Sequence, residues 1–130
     1  MDFPIVADRT RVVAELYGML DEQDPTNRTA AGMPLTVRSV FIIDAFNKIR
    51  LILTYPASTG RDFTEILRVI DSLLICDARR VATPQGWKVG DDVIVHNSVS
   101  DAEAQILFPG FRIVKPYLRF TSLAKEASKL

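Results

Sequence analysis

The sequence predicts an α/β fold, because segments with strand-like and helix-like patterns alternate along its 130 residues. Residues 37–43 and 49–54 are two short, mostly apolar runs joined by turn residues, which favours an antiparallel hairpin. Residues 63–74 then carry apolar side chains at helical spacing, which favours an amphipathic helix. An apolar share of 48% and a charged share of 25% are ordinary for a globular protein with a buried core.

The N-terminal segment is expected to contribute one short strand and one helix. Phe3–Ala7 is a mostly apolar run of strand length with a proline near its start. Asp8 is suited to cap a helix over Arg9–Tyr17, whose valines and leucine share one face. Residues 21–32 are polar and contain a proline, so they are predicted to form a loop.

The central unit is expected to run strand, turn, strand, loop and helix. Its first strand, Val37–Ile43, is mostly apolar, and its second strand, Ile49–Thr54, has one face that is more apolar than the other. The residues between them, Asp44–Asn47, are turn formers. Asp62 is predicted to cap the following helix of three to four turns, with Glu65 as its capping-box partner.

Residues 77–90 change in character, because no hydrophobic period is visible and proline and glycine interrupt the segment. This composition favours a linker between two domains. Trp87, inside the segment, is interpreted as a packing anchor between the two domains rather than a ligand platform. A short strand is predicted at Asp92–His96.

The C-terminal residues predict one short helix and one interrupted strand. Ser100 followed by Glu103 is the pattern of a capping box, which would open a helix that ends at Phe108. Residues 111–121 read as a strand, but Pro116 cannot donate to a sheet and divides it into two pieces or confines it to an edge. The tail from Leu123 is polar and is expected to fray.

Composition excludes several classes of function. Sixteen basic and sixteen acidic residues cancel, which argues against nucleic-acid binding through phosphate neutralisation. No apolar run approaches the ~18 residues that span a membrane, and the N-terminus lacks the pattern of a signal peptide. One cysteine, Cys76, and one histidine, His96, cannot build a disulfide or a multi-ligand metal site, so neither metal nor cofactor is predicted. A reducing compartment, most simply the cytoplasm, is expected.

Two arginines of the central unit stand out as candidate site residues. Arg38 lies within the first strand beside apolar residues, and Arg61 lies in the loop just before the helix cap. Burying a guanidinium without a partner is costly. Each is therefore either an outward-facing, solvated side chain or one of two fixed cations that hold an anion.

Several long segments resemble one-cysteine peroxiredoxins. The resemblance extends over nearly the whole chain and is carried by residues 34–44 (PLTVRSVFIID), 53–73 (LTYPASTGRDFTEILRVIDSL), 80–95 (RVATPQGWKVGDDVIV) and 107–123 (LFPGFRIVKPYLRFTSL). Residues 3–21 also match the stretch that precedes this unit. The chain departs from the family in one decisive feature, because it has no Pro-x-x-x-Thr-x-x-Cys motif and hence no peroxidatic cysteine. Cys76 does not fit that motif and is interpreted as structural.

The resemblance implies a partial thioredoxin-like domain over residues 1–76, the linker 77–90, and a small α+β C-terminal peroxiredoxin domain over residues 91–130. It identifies Arg38 with the family's active-site strand arginine and Arg61 with a supporting arginine. The implied function is thiol-dependent reduction of hydrogen peroxide or organic hydroperoxides, for which this chain alone lacks the nucleophile.

The implied assembly is a homodimer, or a complex with a missing N-terminal half. An open apolar sheet edge left without its neighbouring strands would favour such association. The alternative function is a non-catalytic dimerisation or interaction module derived from the family's C-terminal half.

Overall fold

The computed structural model describes residues 2–123 and consists of two compact units, Met1–Arg61 and Asp62–Leu130. The first unit contains α1 (Val12–Leu16), β1 (Arg38–Ile43) and β2 (Ile49–Tyr55). The second contains α2 (Phe63–Arg79), β3 (Val81–Ala82), β4 (Val93–Val95), α3 (Asp101–Leu107), β5 (Arg112–Lys115) and β6 (Leu118–Thr121). The mixed α/β class predicted from sequence is confirmed.

Strands β1 and β2 form the predicted antiparallel hairpin. Asp44 builds its turn, since the Asp44 Oδ1 atom accepts hydrogen bonds from the backbone N–H groups of Phe46 and Lys48, both at 2.9 Å. Asn47 takes the left-handed conformation that such a turn requires, with φ of 59°. The turn residues recognised in the sequence therefore close the hairpin by a direct side-chain mechanism.

The predicted strand at Phe3–Ala7 is wrong, because these residues form no strand. A strand needs a partner for its backbone groups, and none of the described residues pairs with this segment. Helix α1 is also shorter than predicted. Asp8 still supports it, accepting hydrogen bonds from the N–H groups of Val13 and Ala14 at 3.3 and 2.8 Å.

The polar segment 21–32 is a loop, as predicted, and it is fastened by backbone bonds. Asp21 N–H donates to the carbonyl of Leu35, and Leu35 N–H donates to the carbonyl of Asn27, both at 2.8 Å. Isolated antiparallel bridges join Leu20 to Thr36 and Arg28 to Pro34. The loop therefore returns to the start of β1 along a defined path.

Helix α2 begins where the sequence predicts it. The Asp62 Oδ1 atom accepts hydrogen bonds from the N–H groups of Thr64 and Glu65, at 2.8 and 3.3 Å. The Glu65 carboxylate is bound by the Arg68 guanidinium at 2.6 and 2.8 Å, an i,i+3 pair on the helix surface. The helix runs on to Arg79 and ends at Arg80, which is left-handed with φ of 53°.

The second unit has an antiparallel four-stranded sheet in the order β3-β4-β6-β5. Its core joins strand, helix and loop side chains: Ile75, Val81, Trp87, Val93, Val95, Val99, Ala104 and Phe108. Trp87 is 4% exposed, and its indole N–H donates to the Asp91 carbonyl at 3.2 Å, so it is a packing residue of the core of the second unit. The assignment of residues 77–90 to a linker between domains stays a prediction.

Helix α3 has the complete capping box predicted from Ser100 and Glu103. The interrupted strand is two strands, β5 and β6, which pair across a short turn that contains Pro116. The tail for which fraying is predicted lies, apart from Leu123, outside the described residues.

Arg119 of β6 is 5% exposed and reaches back to the loop between β4 and α3. It donates to the Asp101 carboxylate and the Val99 carbonyl, both at 2.7 Å, and to the His96 carbonyl at 3.2 Å. This clamp is absent from the sequence-based description.

Candidate functional site

The two candidate arginines flank the β1–β2 hairpin along the chain. Arg38 is the first residue of β1 and lies opposite Tyr55, the last residue of β2. Pro56 then opens a short loop, which is closed by a 3.0 Å hydrogen bond from Thr59 N–H to the Pro56 carbonyl and ends at Arg61. Arg38 therefore lies at the end of the hairpin opposite the Asp44 turn, and Arg61 follows that end after the short loop.

Both guanidinium groups are available to a ligand. Arg38 and Arg61 are exposed, and neither guanidinium group makes a hydrogen bond or an ion pair with any residue between 2 and 123. Other arginines in the same chain already bind carboxylates or carbonyls within it, as Arg68 and Arg119 do. Two uncommitted cations, one at the end of a rigid hairpin and one after the short loop that follows it, can bind an anion or an oxygen atom on which negative charge develops.

A cleft of about 540 Å³ opens beside this end of the hairpin. Val37, Tyr55 and Pro56, at or next to the strand ends, line one side, and the other wall comes from the polar loop: Asp21, Gln23, Asp24 and Pro25. Arg38 is not among the lining residues, but its chain neighbour Val37 and its cross-strand partner Tyr55 are.

The acidic wall of the cleft is ionised at neutral pH. Asp21 is 6% exposed, and hydrogen bonds from the Asn27 side chain and the Asp24 backbone, each 3.0 Å, lower the pKa of its carboxyl group. Hydrogen bonds from the Thr26 hydroxyl and backbone lower the pKa of Asp24 in the same way. These carboxylates give the loop side of the cleft a negative charge.

The only thiol of the chain is placed differently. Cys76 is half-buried in the last turn of α2, and it packs against the hydrophobic cluster of the second unit. Reactive cysteines sit in electropositive, accessible places such as the N-terminus of a helix. Its surroundings favour the structural role expected from the sequence.

The His96 side chain is exposed, and its hydrogen bonds are local. Its Nδ1 atom lies 2.9 Å from Ser98 Oγ and 3.2 Å from the Ser98 backbone nitrogen. Because that N–H group donates, Nδ1 is the acceptor in this arrangement. Across residues 2–123, no group of three or more His, Cys, Asp and Glu side chains is arranged to hold a metal ion. In the same range, no helix is long and apolar enough to cross a bilayer.

Sequence reasoning named Arg38 and Arg61 but missed the cleft beside them. Tyr55 and the buried Asp21 carry no signal of their own in the sequence. The relevant signal in the sequence was the predicted hairpin, because the register of its two strands decides which residue at the end of β2 lies opposite Arg38.

Comparisons with known proteins agree on one family. A family model for the C-terminal domain of 1-Cys peroxiredoxin matches residues 76–107. The mitochondrial peroxiredoxin PRX1 of Saccharomyces cerevisiae is 50% identical over 119 residues, which are 92% of this chain and 45% of that protein. Human peroxiredoxin-6 is 45% identical over 127 residues, which are 93% of this chain and 55% of that protein.

Solved structures agree with the sequence matches. A crystal structure of a cysteine-to-serine mutant of peroxiredoxin 6 from Arenicola marina superposes with a TM-score of 0.89 at 48% identity, covering 96% of this chain and 58% of that chain. A structure of the yeast mitochondrial 1-Cys peroxiredoxin gives a TM-score of 0.82 at 49% identity, covering 94% of this chain and 57% of that chain. The chain thus spans about half the length of the relatives it matches.

Proposed function

This chain belongs to the one-cysteine peroxiredoxin family, and from that premise we propose that it acts in thiol-dependent peroxide reduction together with a segment that carries the peroxidatic cysteine. The observation that carries the proposal is the pair of uncommitted arginines, Arg38 at one end of the β1–β2 hairpin and Arg61 after the short loop that follows it. Hydrogen peroxide or an organic hydroperoxide is the proposed substrate.

The chemistry requires a cation at this place. A thiolate attacks one peroxide oxygen, the O–O bond breaks, and hydroxide or alkoxide leaves while the sulfur becomes a sulfenic acid. A neighbouring guanidinium lowers the pKa of the thiol and stabilises the negative charge that develops on the two oxygens. Arg38 is assigned this role, because it lies on the rigid strand and its donors are not engaged by described residues.

Arg61 is assigned a supporting role. It ends the short loop that follows β2, and it adds a second positive charge after that end of the hairpin. Lysine would substitute poorly at either position, because its ammonium group lacks the planar fork of donors that a guanidinium presents.

The chain alone is proposed to be inactive as a peroxidase. Cys76 is its one thiol, and the packing of Cys76 against the core of the second unit leaves it in a setting unlike that of a reactive thiolate. The sulfenic acid formed in the complete protein would need a thiol reductant. In the yeast mitochondrial 1-Cys peroxiredoxin the thiol is resolved via glutathione and thioredoxin systems, which makes these two thiol sources the first to test.

The experiment joins the 130 residues to the N-terminal half of human peroxiredoxin-6, which supplies the cysteine motif. The fusion should consume hydrogen peroxide in a stopped-flow assay, and changing Arg38 to alanine should slow the reaction strongly. A matched change of Arg28, an exposed arginine of the polar loop that donates to the Gly32 carbonyl, should leave the rate unaltered. An unaltered rate in Arg38→Ala, in a fusion that folds, would contradict the assignment.

A second function, as a non-catalytic dimerisation or interaction module, is favoured by a different observation. The first unit leaves many apolar side chains in solvent, with Ile5, Val6 and Leu16 between 69% and 79% exposed and Phe46 82% exposed. Covering exposed apolar side chains with a partner is favourable, because it removes them from water. We therefore propose that the ordered state is a homodimer or a complex with an N-terminal half. We also propose a location in the cytoplasm. Light scattering after size-exclusion chromatography tests the assembly, and a folded monomer at micromolar concentration would contradict it.

A further inference from the structure

Strand β5 is the outer strand of the sheet in the second unit. It pairs with β6 on one side, and no residue between 2 and 123 pairs with its other side. All four of its residues are exposed, including Ile113 at 57% and Val114 at 43%. An edge of this kind presents unpaired backbone N–H and C=O groups to any extended chain that can approach it.

The strand carries one cation at each end. The Arg112 guanidinium lies 5.3 Å from the centroid of the Phe120 ring, and its Nη2 atom is 3.9 Å from the Asp92 carboxylate, while the Arg112 side chain stays 64% exposed. Lys115 is exposed and makes no ion pair with a described residue. The edge therefore offers two β-branched apolar side chains between two positive charges.

These charges make a second copy of this chain a poor occupant. Antiparallel pairing of two β5 strands, centred on Ile113 and Val114, places Arg112 opposite Lys115 of the other copy. Like charges that face each other directly across a sheet are destabilising. The bulge between Ile113 and Lys115 further disturbs regular pairing of the strand.

We propose that the β5 edge binds an extended, acidic segment of a partner protein, which adds to the sheet as a fifth strand. Carboxylates of this segment would face Arg112 and Lys115, and its β-branched residues would lie beside Ile113 and Val114. Backbone hydrogen bonds supply affinity in this mode of recognition, and the flanking charges supply selectivity. Arg112 and Lys115 therefore repel the same strand of another copy and attract the carboxylates of an acidic partner.

The test titrates two blocked hexapeptides into the isotopically labelled 130-residue chain and follows amide chemical shifts by NMR. The probe has glutamate at its second and fifth positions, valine between them and threonine at both ends, and the control peptide has lysine in place of glutamate. Saturable shifts should be confined to residues 111–121. Binding of the glutamate peptide should be about tenfold tighter than that of the lysine peptide, because two cross-strand charge pairs change sign, and it should weaken in high salt.

Charge reversal on the protein supplies the matched comparison. Lys115→Glu reverses one of the two charge pairs, so it should weaken binding of the glutamate peptide about threefold and improve binding of the lysine peptide. Lys88→Glu, at an exposed position of the same unit outside the sheet, should change neither. Both positions are on the surface, so both variants should keep the fold.

Four outcomes would overturn the proposal. Equal affinity for the two peptides would show that charge does not select the occupant, and shifts outside residues 111–121 would place binding elsewhere. Protection of the β5 amides from exchange in a peptide-free dimer would show that a second copy holds the edge. Finally, loss of the peptide response in the fusion with a peroxiredoxin N-terminal half would show that the parent protein covers β5 itself.

Discussion

Replacement of the buried Arg119 should destabilise the second unit measurably. Its guanidinium links β6 to the loop before α3 through Asp101, Val99 and His96. In Arg119→Met the apolar stem is largely retained, so the change reports mainly on the lost hydrogen bonds.

The expected loss in unfolding free energy depends on how each oxygen that accepts from Arg119 is left after the replacement. The His96 carbonyl also accepts from Val99 N–H at 3.0 Å, so it keeps a partner, and the Asp101 side chain is 72% exposed and can be hydrated. The Val99 carbonyl loses a bond to a charged donor inside the structure, which costs about 1–3 kcal/mol. The Nε atom of Arg119 is buried without a partner among the described residues, which is unfavourable. Its removal therefore offsets part of the loss in unfolding free energy. A net loss of about 2 kcal/mol is expected, corresponding to a fall in Tm of roughly 5–10 °C.

Urea unfolding followed by circular dichroism measures this loss, with Arg112→Met as the matched control. Arg112 lies in the neighbouring strand and is exposed, and it makes a 3.9 Å contact with Asp92 and a cation–π contact with Phe120, so its replacement should cost less than about 1 kcal/mol. Arg119→Lys should fall between the two, since an ammonium group cannot serve all three acceptors. If Arg119→Met matches Arg112→Met, the buried clamp contributes nothing and the reasoning from hydrogen-bond loss is refuted.

Three further predictions concern activity and pH. In the fusion with a peroxiredoxin N-terminal half, Arg38→Ala should lower the second-order rate constant with peroxide by about a hundred- to a thousand-fold. Arg61→Ala should lower it less. Stopped-flow kinetics measure both rate constants, and the reverse order would contradict the assigned roles. The 130-residue chain alone should reduce peroxide no faster than a free thiol of similar exposure, and rapid turnover that disappears in Cys76→Ser would disprove this. The pKa values of Asp21 and Glu103 are lowered from 3.8 and 4.5, mainly by hydrogen bonds from the Asn27 side chain and the Ser100 backbone, respectively. As the pH falls, these carboxylates therefore take up protons in the unfolded chain before they do so in the folded chain. The stability that they contribute is present above about pH 4.5 and is lost below it. Between pH 7 and pH 3, the Tm should therefore fall less in Asp21→Asn than in the unaltered chain.

Local signals in the sequence were enough to locate several elements. Asp62 caps α2 and Ser100 with Glu103 caps α3, because a capping side chain bonds backbone groups only two or three residues away. Asp44 likewise closes the hairpin within four residues. Such interactions can be recognised in a sequence because both partners lie within one turn of the chain.

Features that depend on distant partners could not be predicted. The Phe3–Ala7 segment has the composition of a strand but lacks a pairing strand among the described residues. Arg119 looks like an ordinary alternating strand residue, and only the arrival of the loop before α3 buries it.

The candidate site shows the same division. The resemblance marked Arg38 and Arg61, but it is the strand register that sets Arg38 opposite Tyr55, a residue that lines the cleft.

The strand connections of the second unit have a consequence for the order in which its sheet can form. The pairings among its described residues are all antiparallel, and they extend from the tight β5–β6 turn to the Val93–Thr121 pair, the most distant in sequence. Closing a short loop loses less chain entropy than closing a long one. The β5–β6 hairpin should therefore form first, and β4 should pair with β6 afterwards.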